Sequence, residues 1–280
     1  MTAPTAVAGA RSLLFAPGND ERKLRRADGS DADGVIADLE DGVPPGERDA
    51  ARAIIERVFA ETGGSLRCVR INPPDTPDCE RDLELMRGLP GTALVLPKAT
   101  PEALDAVAEV GPVLAIVETA AGLEGARELA AHPSVELLML GNLDLSAALG
   151  LRPRPDGQEL LVPRSTLVLA SALAGIRPPF DGVRPDFRDS DGLQAEVALA
   201  ASLGLRGKLC IHPGQVAIVN AGFAPSEAER AWARAVLEES EAARREGRGV
   251  AVLDGAMIDA PVVARALALL EGEQREVEEQ

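Results

Sequence analysis

Eight short apolar runs, set too far apart to pair as hairpins, constrain this chain more than any other feature. They fall at Ser12–Ala16, Gly34–Leu39, Arg67–Ile71, Ala93–Leu96, Val113–Val117, Val135–Leu140, Pro179–Val183 and Lys208–Ile211. Strands that are apolar along their whole length are buried on both faces, as in a parallel sheet covered by helices. The segments between them carry helical periodicity, clearest at Ala50–Phe59 (AARAIIERVF) and Leu193–Leu203 (LQAEVALAASL). Thr100 followed by Pro101 predicts an N-cap and a first helical residue. Eight strands alternating with helices predict a (β/α)8 TIM barrel. An open doubly wound sheet is the alternative, but no Gly-rich dinucleotide fingerprint follows any of the runs.

The barrel is expected to occupy residues 1–224. Residues 225–280 form a C-terminal helical extension in which Pro225-Ser226 opens a charged helix to about Arg248, and DGAMIDAP follows. A barrel does not need this segment, so it is expected to cap the barrel or to pack on a neighbouring subunit.

Charge narrows the partners. Lys plus Arg number 29 against 45 Asp plus Glu, a net of −16. Nucleic acid and anionic membrane surfaces call for a basic face. Aromatics are 2% with no Tyr, which leaves no stacking platform for bases. No run reaches the ~18 apolar residues of a membrane span. Three scattered cysteines, Cys68, Cys79 and Cys210, and a start without a signal-peptide pattern predict a cytoplasmic protein.

In barrel enzymes the chemistry lies at the C-terminal strand ends. There the sequence places Asp38, Glu40 and Asp41, then Arg70 and Asn72, then Lys98, Glu118, Asn142, Asp144, Asp181 and His212. Glu118 and Asp144 end adjacent strands. Two close carboxylates either share a proton or hold a cation. Mg²⁺ takes oxygen ligands, keeps several waters and needs only one or two protein carboxylates. Arg70 and Lys98 suit an anionic substrate. Bland readings stand beside these: Asp41-Gly42 as turn chemistry, Asp144 as a helix cap, Lys98 as the partner of a rim carboxylate, His212 as a loop residue. Glu118 has no such reading, and its small neighbours Thr119 to Gly122 leave room around it.

Eight segments in order complete the sequence reading: RSLLFAPGN (11–19), DLEDGV (38–43), RIN (70–72), LPK (96–98), VETAAGL (117–123), GNLDLSAALG (141–150), GKLCIHPGQV (207–216) and DGAMIDAPVV (254–263). With them the chain resembles the citrate lyase β-subunit-like enzymes of the HpcH/HpaI aldolase superfamily. The resemblance implies a homotrimer of (β/α)8 barrels and Mg²⁺ held by Glu118 and Asp144. It implies Arg70 on the carboxylate of an oxo acid, and Asp259 entering a neighbouring subunit's site as catalytic acid. Glu40 and Asp41 would support the substrate, and Lys98 and Arg11 match positions linked to coenzyme A. The implied reaction cleaves a 3-hydroxyacyl thioester, foremost citryl-CoA or a citryl carrier protein, to an acetyl thioester and oxaloacetate. Malyl-CoA or citramalyl-CoA cleavage and malate-synthase-type chemistry need the same residues. A pyruvate aldolase is disfavoured because neither His132 nor His212 lies on an early strand, and a non-catalytic metal-binding scaffold subunit would not need the whole set.

Overall fold

The computed structural model describes residues 7, 9–61, 66–154, 156–248 and 250–278. Eight strands form a closed parallel barrel in chain order. They are β1 (Ser12–Pro17), β2 (Gly34–Asp38), β3 (Leu66–Arg70), β4 (Ala93–Leu96), β5 (Val113–Val117), β6 (Val135–Leu140), β7 (Phe180–Asp181) and β8 (Gly207–Cys210). β8 returns to β1, with Ser12 opposite Lys208, so the barrel leaves no sheet edge open.

Successive residues of a strand face opposite sides of the sheet. Leu13, Ile36, Cys68, Val95, Leu114, Met139, Phe180 and Leu209 fill the barrel interior. Their neighbours Leu14, Val35, Val69, Leu94, Ala115, Leu138 and Cys210 join the larger outer core under the helices. Each fully buried aliphatic side chain stabilises by about 1.5–3 kcal/mol. The runs are apolar throughout because both faces are buried.

The helices follow their start signals. Thr100 caps Pro101–Asp105 by accepting from the Ala103 N–H. The helix expected from Leu193 begins earlier, at Ser190, because Asp189 accepts from the Gly192 N–H and opens it. β7 is shorter than its apolar run. Pro179 has no N–H to give to a ladder, and Gly182 lies where a Cβ would be 2.0 Å from Asn142 Oδ1.

Residues Ala224–Gln280 make a second compact unit. Its first helix, Glu227–Arg245, opens with a capping box between Ser226 and Glu229. A hairpin of β9 (Ala251–Leu253) and β10 (Ala256–Ile258) follows, which the sequence reading did not foresee. Asp254 and Gly255, with φ of 50° and 80°, form its two-residue turn, and Asp-Gly is favoured where both residues need positive φ. The helix Ala260–Glu278 ends the unit. Among the described residues no helix is long and apolar enough to cross a membrane.

Candidate active site

The end of β2 grips the end of β3. Arg70 Nε and Nη2 donate to the two carboxylate oxygens of Asp38, each at 2.7 Å. Such a fork fixes the plane of the guanidinium as well as its place. Arg70 Nη1 lies 3.1 Å from Glu40 and 3.6 Å from Asp41, and the guanidinium sits 5.0 Å from the centre of the Phe15 ring. Burial opposes the charge on Arg70, but Asp38, Glu40 and Asp41 outweigh it and raise its pKa. Asp38 also folds the loop above it, accepting from the Glu40 N–H at 3.0 Å and the Gly42 N–H at 2.8 Å. A Cβ at Gly42 would stand 2.5 Å from Asp38 Oδ2, so a side chain here would have to displace the carboxylate that holds Arg70.

Glu118 follows directly on β5 and is 3% exposed. Its Oε1 accepts the Lys98 backbone N–H at 2.7 Å. Lys98 has φ of 47°, a left-handed conformation rare for a side-chain-bearing residue. Its ammonium pairs with Glu40. Burial raises the Glu118 pKa to about 7; the Lys98 N–H opposes this, and the charges of Glu40 and Asp144 add to it. Among the described residues no hydrogen bond reaches Glu118 Oε2. That oxygen faces Gly141, where a Cβ would be 2.4 Å from it.

Glu118 and Asp144 line one cavity of about 380 Å³ with Asp38, Asp41 and Arg70. Asp144 stands exposed in the first turn of the helix Asn142–Leu149. Four carboxylates against one guanidinium give this lining a formal charge of −3. Among the described residues no group of three or more His, Cys, Asp or Glu gathers as a ligand cage, which excludes a structural zinc site of those residues. Two carboxylates, one of them with an oxygen that no hydrogen bond from the described residues reaches, fit a hard cation that keeps waters and takes substrate oxygens.

Other expected residues lie elsewhere. Arg11 precedes β1 and therefore sits at the opposite end of the barrel, where its carbonyl accepts the Lys208 N–H at 2.8 Å. A strand runs one way, so a residue before it cannot reach the rim after it. Asp181 follows the inward Phe180 and points outward. There Lys208 at 2.8 Å and Arg164 at 2.8 and 3.2 Å hold it, fully buried. His212 stacks on Phe187 at 4.6 Å and accepts the Gly214 N–H, a loop role. Asp259 belongs to the second unit, where it is exposed and caps the last helix by accepting from the Val262 N–H at 3.2 Å.

Three supports act in ways that the sequence alone does not assign. Phe15 underlies Arg70, and alternation from the inward Leu13 could have found it. Asn72 turns away from the rim: its N–H and Nδ2 both donate to Asp82 at 2.7 Å, and Nδ2 holds the Leu39 carbonyl at 3.0 Å, beneath Glu40. Gly141 makes room for Glu118, for which a glycine straight after an apolar strand was the signal. The cysteines take no part. All three are buried and unpaired, and burial pushes the thiols of Cys79 and Cys210 up to about 11 and about 12.

A closed (β/α)8 barrel with paired carboxylates and a clamped arginine at its C-terminal rim has the form of an enzyme site. The chain matches the family described as HpcH/HpaI aldolase/citrate lyase over residues 11–213 and belongs to it; it is a lyase of carbon–carbon bonds. It is 39% identical over 255 residues to a (3S)-malyl-CoA thioesterase of Cereibacter sphaeroides, covering 89% of each chain. Its structure resembles that of protein CitE from Mycobacterium tuberculosis in complex with magnesium, acetoacetate and coenzyme A. That likeness has a TM-score of 0.79 and 36% identity over 95% of this chain and 98% of that one. It also resembles the citrate lyase β subunit from M. tuberculosis complexed with oxaloacetate and magnesium, at a TM-score of 0.70 and 35% identity over 79% and 100% of the two chains.

Proposed function

We propose that this chain is a Mg²⁺-dependent lyase that cleaves the carbon–carbon bond of a 3-hydroxyacyl thioester, giving an acetyl thioester and a 2-oxo acid. The observation that carries this reading is the convergence of Glu118 and Asp144 on the cavity that Arg70 enters. Glu118 and Asp144 would hold the ion, which supplies Lewis-acid polarisation and a template for the carboxylate and neighbouring hydroxyl oxygens. Arg70, pinned by Asp38, binds the same carboxylate through the N–H groups that Asp38 leaves free. Glu40, Asp41 and Lys98 keep Arg70 and Glu118 in place. As the hydroxyl gives its proton to water, the carbon–carbon bond breaks to the oxo acid and the enolate of the thioester. The enolate carbon then takes a proton, and Asp259 of a neighbouring copy in a homotrimer is the donor. Arg11 has no part in it. Citryl, malyl and citramalyl thioesters, on coenzyme A or a carrier protein, all present the group this machinery cleaves. Three free, buried cysteines accord with a cytoplasmic setting.

The test is a panel of these thioesters with Mg²⁺, reading released oxo acid and free thiol separately. Oxo acid without free thiol is expected. Asp259→Asn should abolish that release while Mg²⁺ and oxo-acid binding persist. Normal turnover of that variant removes Asp259 from the role, and no product from any thioester removes the lyase reading. A second reading, thioester hydrolysis, is favoured by the likeness to the malyl-CoA thioesterase. In the same panel it would release free thiol without an oxo acid.

A further inference from the structure

The wall of the cavity bears on which oxo acid it takes. We infer that the site prefers an oxo acid with a single carboxylate and a small apolar substituent, of the glyoxylate or pyruvate kind, over a dicarboxylate such as oxaloacetate. Malyl- or citramalyl-type thioesters then rank above citryl. The inference rests on the lyase reading and deepens it.

Arg70 is the one cation among the described residues that line the cavity. One edge of its guanidinium is spent on Asp38, and Nη1 lies 3.1 Å from Glu40. What remains serves one carboxylate. Lys98 offers no second partner, because its ammonium is tied to Glu40 and it is not part of the lining. A divalent ion would bring the lining from −3 to −1, and the first carboxylate of a ligand pairs with that ion and Arg70. A second carboxylate finds no cation and meets a surface that is still negative. A charge moved out of water without a partner is strongly disfavoured.

Apart from two glycines and Asn142, whose amide Nδ2 is already donated to the Val183 carbonyl at 3.0 Å, the rest of the lining is apolar, chiefly Phe15, Ile116, Leu140, Val183, Leu209 and Ile211. Such a wall accepts a hydrogen or a methyl group, and it separates those two only modestly, since one methylene in an apolar pocket is worth about 10–200-fold. The M. tuberculosis β subunit complexed with oxaloacetate shows that a related barrel admits a dicarboxylate; the claim is therefore one of rank.

Calorimetry of the full chain with saturating Mg²⁺ and each of glyoxylate, pyruvate and oxaloacetate tests it. Oxaloacetate should bind at least about tenfold more weakly than the better of the other two, a factor equal to ~1.4 kcal/mol. Equal or tighter oxaloacetate binding overturns the inference and leaves the lyase reading standing. Failure of all three to bind removes both. Ile211 is 41% exposed and its backbone N–H to Gln215 does not involve its side chain, so it can carry a charge. Ile211→Arg should shift the oxaloacetate-to-glyoxylate affinity ratio at least about tenfold toward oxaloacetate. Ile211→Gln should not; an equal shift in both variants would mean that size rather than charge sets the rank, and would overturn the argument.

Discussion

Lys98 joins two rim carboxylates with two different parts of itself. Its backbone N–H reaches Glu118 Oε1 at 2.7 Å, and its ammonium pairs with Glu40. The first contact depends on a φ of 47°. A left-handed residue with a Cβ is strained by roughly 1–2 kcal/mol, and glycine is not. Lys98→Gly is therefore expected to be more stable than Lys98→Ala by about 1 kcal/mol, the reverse of the usual order. Urea unfolding of the two variants reads the difference, and an alanine variant of higher stability would contradict it.

Glu118 has a pKa of about 7 in the folded protein, above its ordinary value of 4.5. The folded state thus binds the proton more tightly than the unfolded chain, and stability falls as pH rises between those values. At pH 8, in the presence of a chelator, Glu118→Gln should be more stable than the parent by up to about 3 kcal/mol. The gap should close below about pH 4.5, where both side chains are neutral. The variant should also lose the stabilisation that Mg²⁺ gives the parent. Thermal unfolding across pH with and without Mg²⁺ checks both parts.

Gly141 has no room for a side chain, because a Cβ there would lie 2.4 Å from Glu118 Cβ and Oε2. Gly141→Ala should displace the carboxylate and weaken Mg²⁺ binding at least tenfold, with a stability loss of about 1–3 kcal/mol. Gly46→Ala, where a Cβ meets nothing, is the control for a general effect of added bulk. Unchanged Mg²⁺ affinity in Gly141→Ala would show that Glu118 is not held against this glycine.

Asp181, Lys208 and Arg164 form a buried ionic cluster behind the barrel wall. Burial pushes the Asp181 pKa up, but Lys208 and Arg164 outweigh it and leave it lowered. A lowered carboxyl contributes stability at neutral pH, and that contribution is lost as pH falls below the ordinary carboxylate range. Asp181→Leu should cost about 3–5 kcal/mol, because it takes the shared carboxylate away from two buried cations, Lys208 and Arg164. Denaturant titration at pH 7 measures it, and a loss below about 1 kcal/mol would show the cluster to be well hydrated.

The strands were legible because burial on both faces makes each one an unbroken apolar run, and Glu118 stood out as a charge at the end of such a run. Direction was harder to read. Asp181 and Glu118 both end apolar segments, yet the inward Phe180 forces Asp181 outward while the inward Ile116 brings Glu118 to the rim. Arg11 was assigned by motif, which carries no information about the end of the strand on which a residue lies. The small residues after Glu118 also had a different cause from the one expected. Gly122 is small because the Ala99 carbonyl lies 2.3 Å from where its Cβ would be. That contact joins residues far apart in the chain, and no local pattern announces it. The hairpin at 251–258 was missed although Asp254-Gly255 was its signal, since strands of three residues give almost no periodicity.

The fork between Asp38 and Arg70 has a stereochemical consequence. A planar guanidinium held along one edge can offer a carboxylate only the other. On the proposed reading an oxo acid would be held by its carboxylate in one plane, and a single face of its carbonyl would be turned toward the enolate. In the cleavage direction the same constraint would separate mirror-image hydroxyacyl thioesters: with the carboxylate on Arg70 and the hydroxyl toward Glu118 and Asp144, the two enantiomers send their breaking bonds in different directions.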